Sequence, residues 1–500
     1  MERTLVARQP TYQDMKILPT LPALFALTSA LLTIASGAST DRPPNIVFIM
    51  TDDLGIADLG VYGSDYHLTP RLDRLAAEGM RFTDAYSASP LCSPTRAAIL
   101  TGRYPHRLHL TDALPWDRLP ENPRFVPPNH LKELPASDAT YAKALREAGY
   151  RTGLIGKWHL GNEHAFFSGG RHRDYGFDAA FDADYREINQ VDKAVDTLTD
   201  QALGFIESNR DRPFMLALHH HTPHVPLAVP AAYERRYDDI PVGKRHKKKK
   251  YAGMMSHLDD AVGRLLDKLD ELKLPDNTIV IFTSDNGGTS GQTSNLPYRD
   301  GKATLYEGGI RVPLLVRWPG RIKPGSVCNA TTVSTDFFPT FLAAAGRPLQ
   351  PDAHLDGQSL LPWLRGEKPN PTRTVYWHLP HYRQKGPQSA VRDGHWKLIR
   401  HIEPDTYELY DLAQDPGEAN DLARAQPGRT KELAAKLDSH LTESGAQRMR
   451  PNPGWDPQKP RGPVSEMGVF YPKQGGSFQQ IKDRAYPAWF KNAEPARHAE

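Results

Sequence analysis

The sequence predicts an α/β fold with a large, mostly parallel mixed sheet flanked by helices, followed by a smaller C-terminal α+β part holding an antiparallel sheet. Three observations carry this reading. Short unbroken apolar runs such as Ile46–Met50 have the pattern of strands buried on both faces. These runs alternate with stretches of helical spacing, which implies parallel strands joined by helices. Beyond Val375 the pattern changes to short, half-apolar segments separated by turns, as in an antiparallel meander. At 500 residues and 39% hydrophobic content the chain can bury a large core and form more than one domain.

Residues 17–34 are mostly apolar, preceded by Met15-Lys16 and followed by Ser36-Gly37-Ala38, the layout of a signal peptide over residues 1–38. An uncleaved anchor is the competing reading, and Pro19 and Pro22 make it marginal. The expected location is therefore exported, periplasmic or secreted, with no stable membrane span. Residues 39–370 form the larger part. Strands are expected at Ile46–Met50, Arg151–Ile155, Phe214–Leu218 and Thr278–Thr283. Helices are expected at Pro70–Gly79, Ser137–Gly149, Val191–Ser208 and Tyr251–Leu272. Residues 371–445 form the smaller part, with strands near Val375, Ala390, Trp396–Arg400 and Tyr407–Asp411 and a helix at Thr430–Thr442. Residues 446–500, rich in Pro and Gly, read as loop or extended tail.

A net charge of +3 is too mild to argue for nucleic acid. The run Lys244-Arg245-His246-Lys247-Lys248-Lys249-Lys250 has two readings, a solvated loop before a helix or an attractor for a polyanionic substrate. No aromatic or base-reading motif accompanies it, which disfavours a nucleic-acid partner. The only cysteines are Cys92 and Cys328, so disulfides are not expected to hold the fold.

Ligands of open α/β sheets gather beyond the carboxyl ends of the strands. All four expected strands of the larger part carry their chemistry there: Asp52 and Asp53; Lys157 and His159; His219, His220, His221 and His224; Asp285 and Asn286. Either acidic pair alone is also common turn chemistry. Together, Asp52, Asp53, Asp285 and Asn286 offer hard oxygen ligands suited to Ca²⁺ or Mg²⁺ rather than zinc. That site weakens a histidine-held metal at His219–His221. Lys157 and His159 stand two apart, and an extended backbone would send both to the same side. Cys92 precedes a helix with Pro94 in its first turn and Gly102 at its end. Helix N–H groups and Arg96 around it suggest an activated thiolate, against the plain reading of a buried structural cysteine.

Cys92-x-Pro94-x-Arg96, continued by Ala97–Leu100 and Thr101-Gly102-Arg103, resembles the signature of type I sulfatases. Gly149-Tyr150-x-Thr152-x-x-x-Gly156-Lys157-Trp158-His159 is similar to the second signature of that family, and Gly301-Lys302 with Tyr306–Pro313 to a later segment. The resemblance runs over most of residues 43–425 and implies an alkaline-phosphatase-like fold. It implies that a maturation enzyme converts Cys92 to formylglycine (3-oxoalanine). It also implies that Asp52, Asp53, Asp285, Asn286 and the modified residue 92 bind Ca²⁺, with Mg²⁺ the lesser choice. By the same resemblance Arg96 neutralises charge, Lys157 and Lys302 hold sulfate oxygens, and His159 contacts a hydroxyl of the hydrated aldehyde. His224 or Lys302 would protonate the leaving alcohol. One hydroxyl of the hydrate attacks sulfur and the second drives release of the bound sulfate. The implied substrate is a sulfated saccharide or an aryl sulfate, with specificity set by residues 104–135, 163–185 and the tail. Two other functions are weighed: a phosphonate monoester hydrolase or phosphodiesterase of the same superfamily, and a non-catalytic binder of sulfated glycans.

Overall fold

The computed structural model describes residues 42–367 and 373–468; the expected leader lies outside them. Eight strands make the main sheet: β1 (Asn45–Asp52), β2 (Met80–Phe82), β3 (Arg151–Gly156), β4 (Ala179–Phe181), β5 (Phe214–Pro223), β6 (Thr278–Ser284), β7 (Leu314–Arg317) and β8 (Ser326–Cys328). Their order is β8-β2-β7-β6-β1-β5-β3-β4. β7 is antiparallel to both its neighbours and every other pairing is parallel. The central trio is in register through Ile46 to Met50, which pairs with Met215 to His219 on one side and Ile279 to Thr283 on the other.

The unbroken apolar character of β1 follows from two cores, one on each face. Ile46, Phe48 and Met50 join a cluster with α2 (Cys92–Thr101), α3 (Tyr141–Glu147) and α6 (Phe337–Ala344). Val47 and Ile49 point the other way, toward α1 (Pro70–Glu78), α4 (Val195–Ser208) and α5 (Lys249–Glu271). A four-stranded antiparallel meander follows, β9 (Thr374–Leu379), β10 (Gln388–Asp393), β11 (Trp396–His401) and β12 (Thr406–Asp411). Its Val375, Trp377, Ala390 and Ile399 pack on Tyr86, Ala98 and Leu305 of the larger part. Its opposite face, Val391, Leu398 and Leu409, takes Leu433, Leu437 and Leu441 of α7 (Pro427–Glu443).

Three expectations are corrected. α3 starts only at Tyr141, because the Thr140 hydroxyl accepts from Lys143 N at 3.1 Å and caps it there. α4 starts at Val195, after a π turn and two residues with positive φ, Lys193 and Ala194. The region from 446 is not all loop: Arg450–Pro451 pairs with Phe125–Val126, and Val464–Gly468 pairs with Trp116–Pro120. Main-chain pairing of this kind needs no apolar alternation, so a Pro- and Gly-rich composition hides it. Among the described residues no helix is long and apolar enough to cross a membrane.

Candidate active site

The carboxyl ends of β1, β3, β5 and β6 meet the first turn of α2 beneath the C-terminal edge of the sheet. β1 ends on Asp52, and Asp53 follows with φ of 68°, which turns its side chain back over the strand end. β6 delivers Asp285 and Asn286 beside them, with Asp53 N donating to Asp285 Oδ1 at 3.2 Å. α2 is closed by Gly102, whose φ of 66° suits a residue without Cβ and whose N–H donates to Ala98 O at 2.8 Å. Its other end presents Cys92, with Sγ 3.3 Å from Asp52 Oδ1 and 3.4 Å from Lys302 Nζ.

Three buried cations are locked onto these carboxylates. Arg96 donates from Nε and Nη2 to Asp285 Oδ2 at 3.0 and 2.7 Å, and from Nη1 to Lys157 O at 3.0 Å. Lys157 Nζ meets Asp52 Oδ2 at 2.5 Å, and Lys302 Nζ lies 2.6 Å from Asp53 Oδ1. Burial opposes ionisation of Asp52, but Lys157, His224, Arg96 and Lys302 outweigh it and hold the carboxyl well below the usual range. Asp285 goes the other way, pushed up to about 6 by burial and by Asp52 despite Arg96.

The activated-thiolate reading of Cys92 is corrected by this environment. Burial, Asp285 and Asp52 push the thiol well above its ordinary value, more than Lys157 and Lys302 can offset. A thiolate nucleophile does not suit this pocket. A hard divalent cation does, because three carboxylates converge and Asn286 Oδ1 is buried with no hydrogen-bond partner among the described residues. The Asn286 amide faces inward because its Nδ2 donates to Asp53 Oδ1 at 2.8 Å.

The histidines divide. His224 stands at the rim, Nε2 3.7 Å from Asp53 Oδ2, and burial lowers its pKa. His159 is not carried by strand alternation as expected. β3 ends at Gly156 (φ 98°) and His159 itself has φ of 54°, so the chain curls away from extended geometry. Its Nε2 lies 2.6 Å from Leu114 O, and its buried Nδ1 has no partner among the described residues. His219 Nδ1 meets Lys157 O at 3.1 Å, while His221 pairs with Asp182 at 2.9 Å; both are held by protein groups. Two residues escaped the sequence reading. Thr289 Oγ1 donates to Asp53 Oδ2 at 3.0 Å, one step beyond the Asn286-Gly287-Gly288 turn that could have flagged it. Lys193 is buried, and its amine is pushed down to about 8 by burial, with Asp52 and Asp53 pulling the other way. Its position at a left-handed residue between two helical turns left no pattern to find.

Comparison with known proteins fits this geometry. The sulfatase family profile matches residues 44–347, and a profile described as N-sulphoglucosamine sulphohydrolase, C-terminal, matches residues 298–447. Arylsulfatase A of Homo sapiens is 34% identical over 507 aligned positions, covering 86% of this chain and 94% of the relative. N-acetylgalactosamine-6-sulfatase of Homo sapiens is 35% identical, covering 66% and 67%. The crystal structure of Ps i-CgsB in complex with k-i-k-neocarrahexaose superposes with a TM-score of 0.68 at 29% identity, over 83% of this chain and 95% of that one. A phosphonate monoester hydrolase of Agrobacterium radiobacter shares the fold, with a TM-score of 0.63 at 22% identity over 80% and 96%. A profile spanning more than half the chain and near full-length likeness to arylsulfatase A place this protein in the type I sulfatase family, as a sulfuric ester hydrolase of the alkaline phosphatase superfamily.

Proposed function

We propose that this sulfatase removes sulfate from a saccharide, using a formylglycine made from Cys92 beside a Ca²⁺ ion held by Asp52, Asp53, Asp285 and Asn286. The observation that carries the reading is the setting of Cys92: its Sγ sits at a helix start, 3.3 Å from Asp52 and 3.4 Å from Lys302. The hydrated aldehyde supplies an oxygen nucleophile and a second hydroxyl, and the cation supplies charge neutralisation at a sulfate oxygen. The chain's own groups do the rest. Lys157 and Lys302 hold the sulfate oxygens, and Arg96 fixes both Asp285 and the Lys157 backbone so that neither drifts. His224, at the rim, donates a proton to the departing alcohol oxygen, with Lys302 the other candidate. His159, held through Nε2 by Leu114 O, takes the proton whose loss frees the sulfate.

A saccharide fits better than a small aryl ester because one matched profile and one matched relative are named for amino-sugar sulfatases. Export and an encounter with a maturation enzyme belong to the same reading. Because Cys92 is buried at the first residue of α2, that encounter would precede docking of the helix. Mass spectrometry of the Cys92 peptide is the test: aldehyde oxygen should replace thiol sulfur in active preparations. Full activity with the thiol intact would overturn the proposal. Assaying sulfate and phosphate release side by side separates it from the phosphonate hydrolase alternative, and a glycan binder would release neither.

A further inference from the structure

We infer a second anion site beside the Cys92 centre, formed by Lys247 and Lys248 with Arg245 and Gln292, that takes another sulfate or carboxylate group of the same saccharide. This rests on the saccharide sulfatase reading above. The site is a cavity of about 200 Å³ with the basic run on one wall, Gln292 and Thr293 on the other, and buried His67 and Tyr251 at its base. α5 returns the chain from β5 to β6, two strands parallel to β1. Its first residues therefore lie at the sheet edge that also carries Asp52 and Asp285. One turn connects cavity and centre: Gln292 N donates to Thr289 O at 2.9 Å, while the Thr289 hydroxyl holds Asp53 at 3.0 Å. The α-carbons across such a turn are within about 7 Å.

The charges in the cavity are unevenly matched. Asp58, below it, is already satisfied by Tyr251 OH at 2.7 Å, Gly55 N at 2.8 Å and the Thr293 hydroxyl. Asp65 takes the N–H groups of Arg245 and His246 and the His246 ring. Arg245 is anchored on the carbonyls of Gly63 and Leu296, and Lys249 turns away to Asp238. Among the described residues Lys248 meets only the neutral Gln292 Oε1, at 2.7 Å, and Lys247 has no ion-pair partner. The open N-terminus of the 23-residue α5, with no side-chain cap, adds to the same positive field. Two uncompensated ammonium groups in a cavity one turn from a sulfate centre match a polyanionic chain, not a lone ester.

The test uses mature enzyme, 4-nitrophenyl sulfate as substrate, and two inhibitors, inorganic sulfate and sucrose octasulfate. The double variant Lys247→Ala/Lys248→Ala should weaken inhibition by the octasulfate about tenfold. Inhibition by sulfate and turnover of the aryl ester should stay within about twofold, since neither lysine reaches the Cys92 centre. Equal loss toward both inhibitors, or no loss toward the octasulfate, would overturn the second site. If mature wild-type protein turns over no sulfate ester, the functional reading fails instead. Calorimetric titration of octasulfate into wild type and double variant then decides the site alone: unchanged affinity rejects it, and about tenfold weakening keeps it.

Discussion

Arg96 gives its whole guanidinium fork to Asp285 and the Lys157 carbonyl while being almost wholly buried. Arg96→Ala would strand Asp285 as an unpaired buried carboxylate, a loss of about 3–5 kcal/mol that urea denaturation would read. Arg96→Lys should recover little, because the three donors of an ammonium sit on one nitrogen and lack the planar fork that spans Asp285 and the Lys157 carbonyl. Cys92→Ala is a different kind of change: turnover should vanish while the melting temperature barely moves, since Sγ faces the site and not the core. Lys157→Ala or Lys302→Ala should lower kcat by about 10²–10³, the effect of losing one donor to a developing anion; near-normal rates would remove that lysine from the sulfate pocket. Asp285→Ala should lose bound metal by elemental analysis together with activity, and full activity in chelator would refute the metal assignment. These residues were legible because each stands at a strand end or in a compact motif. Lys193 and Thr289 were not, because their place depends on how loops fold back over the sheet.

The α2 helix shows what an element contributes. Gly102 closes it with a φ of 66°, and a Cβ there would come 2.5 Å from His354 Cβ. Gly102→Ala should therefore destabilise by about 1–2 kcal/mol from backbone alone, with more from the clash. A fall in melting temperature with KM unchanged in the folded fraction is the expected result. Strands with unbroken apolar runs, β1, β5 and β6, were readable because burial on both faces leaves a compositional trace. The edge strands β4 and β8, and β2 next to β8, have three residues each, too few to show any period. The starts of α3 and α4 were misplaced for a related reason: a hydroxyl cap and a left-handed kink decide them, and periodicity sees neither.

Across the whole molecule, many histidines are buried and kept neutral. Burial pushes His220 and His381 down to about 3, and His378 and His440 down to about 4; His106 lies well below its ordinary value as well. Their folded values lie below the unfolded value near 6.5, so the stability they contribute is complete above about pH 6.5. It is lost as pH falls from there toward 4 and 3. Glu418 and Asp259, both pushed up to about 7 by burial, and Asp285, pushed up to about 6, work the other way, but the depressed histidines, with His219 at about 3 among them, outnumber these three. Urea midpoints measured from about pH 7.5 down to about 5 should therefore decline steadily; a rise on acidification would contradict the assignment. No sequence pattern foretold this, because a histidine's titration depends on the packing around it.

The strand Val464–Gly468 is laid against Trp116–Pro120, two residues past the Leu114 carbonyl that holds His159. A proteolytic nick or a deletion that strips this strand would leave the ribbon at Trp116–Pro120 without its hydrogen-bonded neighbour. The imidazole tethered through Leu114 would then be freer to swing. Trimming the chain after α7 to ease crystallisation would for that reason slow turnover while leaving both sheets intact.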